Sequence, residues 1–233
     1  TYSATATEGS GRVSRGLVIS DPNMFKMPAD LQKGNSYTYA LWVKADKFAH
    51  DKQGTNLISK NTIKDGWPHN NWGDLWVQIR PQWRDHMANE VSFNTMGWED
   101  HDDPNSSVMT KDHPMSVGVW YHLAITHNDN RVHEMFVNGK KVATGRQPVS
   151  TRRENRGAGK IKASEPADIF IGGGGVYKSG FNGSVDEIQI WNKPLTEEEV
   201  QRAMKGYKES EVPAELQGYF TFETKEGESV FPN

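Results

Sequence analysis

The stretch FNGSVDEIQIWNKPLTEEE, residues 181–199, decides the fold, because it joins a strand to the start of a helix. Polar and apolar residues alternate over residues 183–191, which predicts a β-strand. The alternation slips within the strand, since Val185 and Ile188 should both face a core although their positions differ in parity. A β-bulge at Asp186 and Glu187 would resolve this conflict.

A short C-terminal helix is predicted directly after this strand. Thr196 and Glu199 form a capping box, with Thr196 as the N-cap residue and Glu199 at the third helical position. A weak apolar stripe follows and ends near Gly206, where the helix should stop.

Most of the remaining chain reads as short strands separated by turns. The clearest pair is VHEMFV-NG-KKVATG, in which Asn138 and Gly139 supply the two left-handed positions of a type I′ turn. Many short strands with turn signals between them predict an all-β sandwich or jelly roll. Strands are predicted over residues 16–20, 36–45, 56–60, 74–80, 89–95, 119–127, 132–137, 140–145, 168–172, 183–191 and 216–223.

Composition excludes several classes of protein. The chain has 27 Lys and Arg against 30 Asp and Glu, so we expect neither a nucleic-acid partner nor an acidic membrane surface. No run approaches the roughly 18 apolar residues of a membrane helix, so we expect no membrane insertion. Cysteine is absent, which excludes disulfides and zinc–thiolate sites.

The length fits one domain over residues 1–233. Residues 216–223 are predicted to be its closing strand, although that strand could equally open a following domain.

Six segments in fixed order resemble the laminin G-like and pentraxin-like domains of the concanavalin A-like lectin/glucanase superfamily. The resemblance covers about residues 16–205 and implies an all-β, two-sheet antiparallel jelly-roll sandwich (concanavalin A-like) with one short C-terminal helix. It also implies export, with an extracellular, cell-surface or periplasmic location. We expect Trp42, Leu123, Ile125, Ile188 and Ile190 to fill the space between the sheets. The segments lie at residues 36–44, LISK at 57–60, WYHLAIT at 120–126, MFVNGK at 135–140, IFIGG at 169–173 and the stretch at 181–199.

The resemblance further implies one structural calcium ion. Family members bind it with main-chain carbonyls and an aspartate that corresponds here to Asp186, and a bulge there would expose carbonyl oxygens. Asp21, in the turn after the first predicted strand, matches the other usual acidic position less closely. The alternative is that Asp186 caps a turn and Asp21 starts an Asx-turn.

Tryptophan suggests a glycan site. Four of the eight, Trp42, Trp76, Trp120 and Trp191, lie in predicted strands and are expected in the core. The others lie in or beside loops among amides and charged residues. An exposed indole can stack on a sugar ring while amides and guanidinium groups hydrogen-bond its hydroxyls. The alternative is that these indoles cover the edge of the sandwich. The predicted ligand-binding residues are Trp67, Asn70, Asn71, Trp72, Asp74, Trp83, Arg84 and Trp98.

Catalytic motifs are missing from the sequence. Glycosidases of this superfamily carry an E-x-D-x-x-E strand, which no segment here shows. The eight histidines show no H-E-x-x-H spacing, and His122 and His127 should lie on opposite faces of one strand.

The predicted function is therefore a non-catalytic, lectin-like module of an exported or cell-surface bacterial protein. Its expected partners are a polysaccharide or glycan and other domains of the same parent chain. The alternatives are, in order, a protein-adhesion or spacer domain and a glycoside hydrolase.

Overall fold

Two antiparallel sheets make up the part of the chain that the computed structural model describes: residues 3–9, 12–48, 54–61, 75–80, 89–95, 107–110, 112–146, 168–173 and 180–222. Within these ranges the larger sheet has eight strands and the smaller sheet has six. The predicted two-sheet jelly-roll class with one short helix is confirmed.

The strands have the following bounds. The first seven are β1 Ser3–Gly9, β2 Arg12–Ile19, β3 Phe25–Met27, β4 Tyr37–Lys47, β5 Thr55–Asn61, β6 Leu75–Ile79 and β7 Val91–Thr95. The others are β8 Ser107–Met109, β9 Trp120–His127, β10 Val132–Val137, β11 Lys140–Arg146, β12 Asp168–Ile171, β13 Asn182–Trp191 and β14 Leu216–Phe220.

The larger sheet has the strand order β1-β2-β13-β4-β9-β10-β11, and β14 also pairs with β13. The smaller sheet has the order β3-β12-β5-β6-β7-β8. Sequence patterns missed β1, β3 and β8, because β1 lacks large apolar residues and the other two have only three residues each.

The predicted bulge lies in β13. Asp186 pairs with Trp42 of β4 and Gln189 pairs with Ala40, so two residues of β13 lie opposite Leu41 alone. Glu187 takes a left-handed conformation with φ of 49°. The bulge allows Val185 and Ile188 both to be buried between the sheets, which confirms the reasoning from parity.

Trp42 corrects one prediction about the core. Leu123, Ile125, Ile188 and Ile190 lie between the sheets as expected. Trp42 does not, because Leu41 and Val43 take the inward positions of β4 and the period of two turns Trp42 outward. Its indole Nε1 donates a hydrogen bond to the Met204 carbonyl oxygen at 3.2 Å.

Helix α1, Glu197–Ala203, packs on the outer face of the larger sheet. The capping box is confirmed, since Thr196 Oγ1 accepts from the Glu199 amide and Glu199 accepts from the Thr196 amide. Trp191 is buried as predicted, but under α1 rather than between the sheets. It belongs to a second apolar cluster with Ala40, Ala124, Phe136, Leu195, Val200, Ala203 and Leu216.

A hairpin turn between β10 and β11 and the pairing of β14 with β13 complete the larger sheet. Asn138 and Gly139 have φ values of 50° and 77°, which confirms the predicted type I′ hairpin. β14 pairs with β13 beyond the bulge, at Ile188–Trp191, whereas β2 pairs with β13 before it.

Within the described ranges, no helix has the length and apolar character needed to cross a bilayer.

Candidate functional site

The outer face of the smaller sheet carries polar side chains. Leu75, Val77 and Ile79 of β6 point into the core, so Gln78 between them points outward. Gln78 pairs in register with Asn56 of β5 and with Ser92 of β7, which share its face. We call this surface the polar outer face and define it by Asn56, Ser59, Gln78, Arg80 and Ser92.

Hydrogen bonds between side chains hold the polar outer face together. Gln78 Nε2 donates to Asn56 Oδ1 at 2.7 Å, and Arg80 Nε donates to Ser92 Oγ at 2.9 Å. Ser59 Oγ donates to the Gly173 carbonyl oxygen at 2.7 Å. All five residues except Arg80 are buried. These four side chains therefore fix the shape of the sheet, and a ligand would contact groups that lie above or beside them.

One end of the smaller sheet gathers the ends of four strands. The end of β5, the start of β6, the end of β7 and the start of β8 lie together at this end. This follows from the strand register, in which Lys60 is paired with Leu75, Leu75 with Thr95, and Asn94 with Ser107. We call this the four-strand end. The chain leaves and re-enters the described structure here for residues 62–74 and 96–106. It leaves at the opposite end for residues 81–88, since Ile79 pairs with Val91 there.

The eight predicted glycan-binding residues lie outside the described residues. Six belong to the two segments that start at the four-strand end, and two belong to the segment that starts at the opposite end. The six are Trp67, Asn70, Asn71, Trp72, Asp74 and Trp98, and the two are Trp83 and Arg84.

The two predicted calcium ligands lie far apart. Ile19 pairs with Gly183, so Asp21 lies beyond the start of β13 while Asp186 lies well inside that strand. Roughly five residues of strand separate them, which is roughly 16 Å. Two ligands of one calcium ion, each about 2.4 Å from it, lie within about 5 Å of each other.

The described residues therefore do not bring these two carboxylates to one ion. Asp186 is 1% exposed and its Oδ1 accepts the Glu187 amide at 2.8 Å, while Asp21 is exposed and its carboxylate lies against Gly180. In the described part of the chain, no group of three or more His, Cys, Asp or Glu side chains could hold a metal ion.

A carboxylate–tyrosine network at the bulge was not predicted. Glu187 is 9% exposed, and its Oε2 accepts a hydrogen bond from the Tyr219 hydroxyl of β14. The same hydroxyl accepts the Tyr207 amide at 3.0 Å. The guanidinium of Arg202 lies 4.4 Å from the centre of the Tyr207 ring, and burial raises the pKa of Tyr207. The network connects β13, β14 and the segment after α1, so its role is structural.

Tyr219→Phe should lower the free energy of unfolding by about 1–3 kcal/mol, because it leaves the buried Glu187 carboxylate without this donor. Urea unfolding at pH 7 measures the change. Tyr207→Phe is the matched control, since the Tyr207 contacts with Tyr219 and Arg202 use its amide and its ring face. Equal losses in the two variants would contradict the structural role of the Tyr219 hydroxyl.

Comparisons with known proteins agree with this architecture. A laminin G-type family model, described as the concanavalin A-like lectin/glucanases superfamily, matches residues 21–201. No curated protein sequence matches the chain.

Three solved structures show the same fold. Domain 4 of AbnA, an extracellular GH43 arabinanase from Geobacillus stearothermophilus in complex with arabinotriose, aligns at 19% identity over 87% of this chain and 81% of its own, with a TM-score of 0.58. A candidate carbohydrate-binding protein from Bacteroides ovatus aligns at 17% identity over 88% of this chain and 51% of its own, with a TM-score of 0.56. A heptameric SAP-like pentraxin from Limulus polyphemus aligns at 14% identity over 79% and 77%, with a TM-score of 0.51. At these identities the likeness shows the fold alone.

Proposed function

Because this chain belongs to the laminin G-like family of the concanavalin A-like lectin/glucanases superfamily, we propose that it is a non-catalytic carbohydrate-binding module. The proposed glycan site lies at the four-strand end of the smaller sheet. Two solved structures with this fold are a domain in complex with arabinotriose and a candidate carbohydrate-binding protein, which supports a glycan as the ligand.

One observation carries the proposal. The register of β5, β6, β7 and β8 makes the four-strand end the common starting point of the two segments that contain Trp67, Trp72 and Trp98. Indole rings supply stacking surfaces for sugars, and the neighbouring Asn70, Asn71 and Asp74 supply hydrogen-bonding groups. Of the polar outer face, Ser59 lies nearest to the four-strand end, whereas Asn56, Gln78, Arg80 and Ser92 lie towards the opposite end.

The location of the protein and its neighbouring domains are proposed from its family membership. The module would belong to an exported, extracellular or cell-surface protein and act beside other domains of the same parent chain. A calcium ion at Asp186 stays a prediction. It would be structural and would not contact the glycan, and Asp21 would not be one of its ligands.

A glycan-array screen of the full chain, run with calcium and repeated with chelator, tests the proposal. We expect selective binding by the wild type. The Trp67→Ala, Trp72→Ala, Trp98→Ala triple variant should bind at least about tenfold more weakly, because central aromatic residues dominate binding energy. Trp83→Ala is the matched control, since it removes an indole from the segment that starts at the opposite end.

Unchanged binding by a folded triple variant would contradict the proposed site. Silence of the folded wild type on the array in both conditions would contradict glycan binding and favour a protein-adhesion domain. Loss of binding only in chelator would support the calcium prediction, and its retention would contradict a calcium requirement.

A further inference from the structure

His122 of β9 is buried on the outer face of the larger sheet, and its ring has no hydrogen-bond partner in the described part of the chain. The residue is 1% exposed, and neither ring nitrogen has a hydrogen-bond partner among the described residues. The ring packs edge to face against Trp42, with 5.4 Å between centroids. A buried polar group without hydrogen bonds is rare in native proteins, so this imidazole calls for a physical account.

The elements on both sides of His122 contact the end of α1. Trp42, its neighbour on β4, donates to the Met204 carbonyl oxygen. Asn138, its neighbour on the other side, accepts the His122 amide at 2.9 Å. The adjoining Gly139 lies against Met204 and Gln201, and Gln201 Nε2 donates to the Gly139 carbonyl oxygen at 3.3 Å. The C-terminal end of α1 thus contacts Trp42 of β4 on one side of His122 and the turn between β10 and β11 on the other.

We propose that His122 is an acid-sensitive switch, and that protonation of its buried imidazole releases α1 from the outer face of the larger sheet. An imidazolium carries two N–H donors and a charge, and the described surroundings provide neither an acceptor nor a carboxylate for them. β9 lies inside the sheet between β4 and β10, whereas α1 is a seven-residue element at its surface. Displacing α1 is therefore the less costly route by which the charged ring reaches water.

Charged groups on the elements around His122 are already engaged or do not alter its titration. Burial alone lowers the pKa of His122 from 6.5 to about 4. Lys44 lies over the Trp120 ring, Lys141 pairs with Glu134, Arg202 pairs with Glu211, and Glu187 accepts from Tyr219. The remaining charged groups on these elements lie on β4, β11, β13 and in or beside α1. They are Asp46, Lys47, Lys140, Arg146, Asp186, Glu197, Glu198, Glu199 and Lys205.

The sign of the pH dependence follows from the lowered pKa. Above pH 6.5 the imidazole is neutral in both the folded and the unfolded chain, and His122 leaves stability unchanged. As the pH falls towards 4, only the unfolded chain takes up the proton, and stability is lost. Between pH 7 and pH 5, proton uptake by His122 in the unfolded chain should raise the unfolding equilibrium constant by roughly twentyfold.

Urea unfolding of the full chain at pH 7 and pH 5 tests the switch. His122→Phe keeps a ring but cannot titrate, so its equilibrium constant should change by roughly twentyfold less than that of the wild type. His113→Gln removes an exposed histidine and should keep the wild-type pH dependence. Hydrogen exchange at the Val200 and Met204 amides, corrected for the intrinsic rate, should accelerate at pH 5 in the wild type and in His113→Gln but not in His122→Phe.

Two results would overturn the proposal. One is a wild-type pH dependence in His122→Phe, and the other is α1 exchange that does not accelerate at pH 5. NMR titration of the wild-type imidazole covers the case in which His122→Phe does not fold, since a midpoint near 6.5 would also overturn the switch. The switch lies on the larger sheet, away from the polar outer face, so it stands independently of glycan binding.

Discussion

Gly183→Ala should lower the free energy of unfolding by at least about 3 kcal/mol, because a methyl group there meets backbone. A Cβ at Gly183 would lie 2.6 Å from Cζ of the buried Phe181 and 3.0 Å from Cα of Ala45, and closer still to the Lys44 carbonyl oxygen. Gly183 lies near the start of β13, where it pairs with Ala45 of β4 on one side and with Ile19 of β2 on the other, so β13 cannot withdraw from β4 without disturbing these pairings. Urea or thermal unfolding measures the loss.

Gly218→Ala in β14 is the matched control for Gly183→Ala. A Cβ at Gly218 would meet only side-chain atoms, Cε2 of Phe220 at 3.1 Å and Cδ1 of Leu31 at 3.2 Å. These side chains can shift by a few tenths of an ångström, so the expected loss is below about 1.5 kcal/mol. Similar losses in the two variants would show that the close approach of β13 to β4 is not what requires glycine.

Trp191→Ala should lower the free energy of unfolding by about 3–5 kcal/mol, as expected for removal of a buried indole. Trp191 is 2% exposed and its ring contacts Tyr207, with 5.7 Å between centroids. Its Nε1 donates to Gln189 Oε1 at 3.2 Å, and Gln189 Nε2 in turn donates to the Ala203 carbonyl oxygen at the end of α1. The variant therefore loses both the packing beneath α1 and the orientation of a helix-capping amide.

Chemical denaturation followed by circular dichroism measures this loss. Val212→Ala is the control, since Val212 is exposed and should change the free energy of unfolding by less than about 0.5 kcal/mol. A loss below about 1.5 kcal/mol in Trp191→Ala would mean that the cluster under α1 contributes little to the stability of the fold.

Local sequence patterns predicted the features whose interactions span a few residues. The capping box needs only Thr196 and Glu199, and the hairpin turn needs only Asn138 and Gly139. The bulge in β13 followed from the parity of Val185 and Ile188 within one strand. Each of these features involves residues close together in the chain, either through the periods of a strand or helix or through the chemistry of one turn or cap. It can therefore be recognised from the sequence alone.

Burial depends on the stacking order of elements, which a single strand does not encode. The alternation in β4 was visible, but placing Trp42 on the outer face and not in the core required knowing that α1 packs on that face. The same holds for Glu187 and Tyr219, which meet although 32 residues separate them. For the glycan site, the sequence indicated the residues, and the sheet register added which of their segments start at a common end.

The sequence by itself thus determined the all-β class, the positions of the longer apolar strands and of the helix, and the bulge, because these follow from short-range periodicity and turn chemistry. Only the tertiary structure decided that Asp21 and Asp186 lie apart, that the buried His122 ring has no hydrogen-bond partner among the described residues, and that Gly183 touches β4. The physical reason is that each of these properties depends on residues distant in the chain. Their approach is set by packing two sheets and a helix into one close-packed interior.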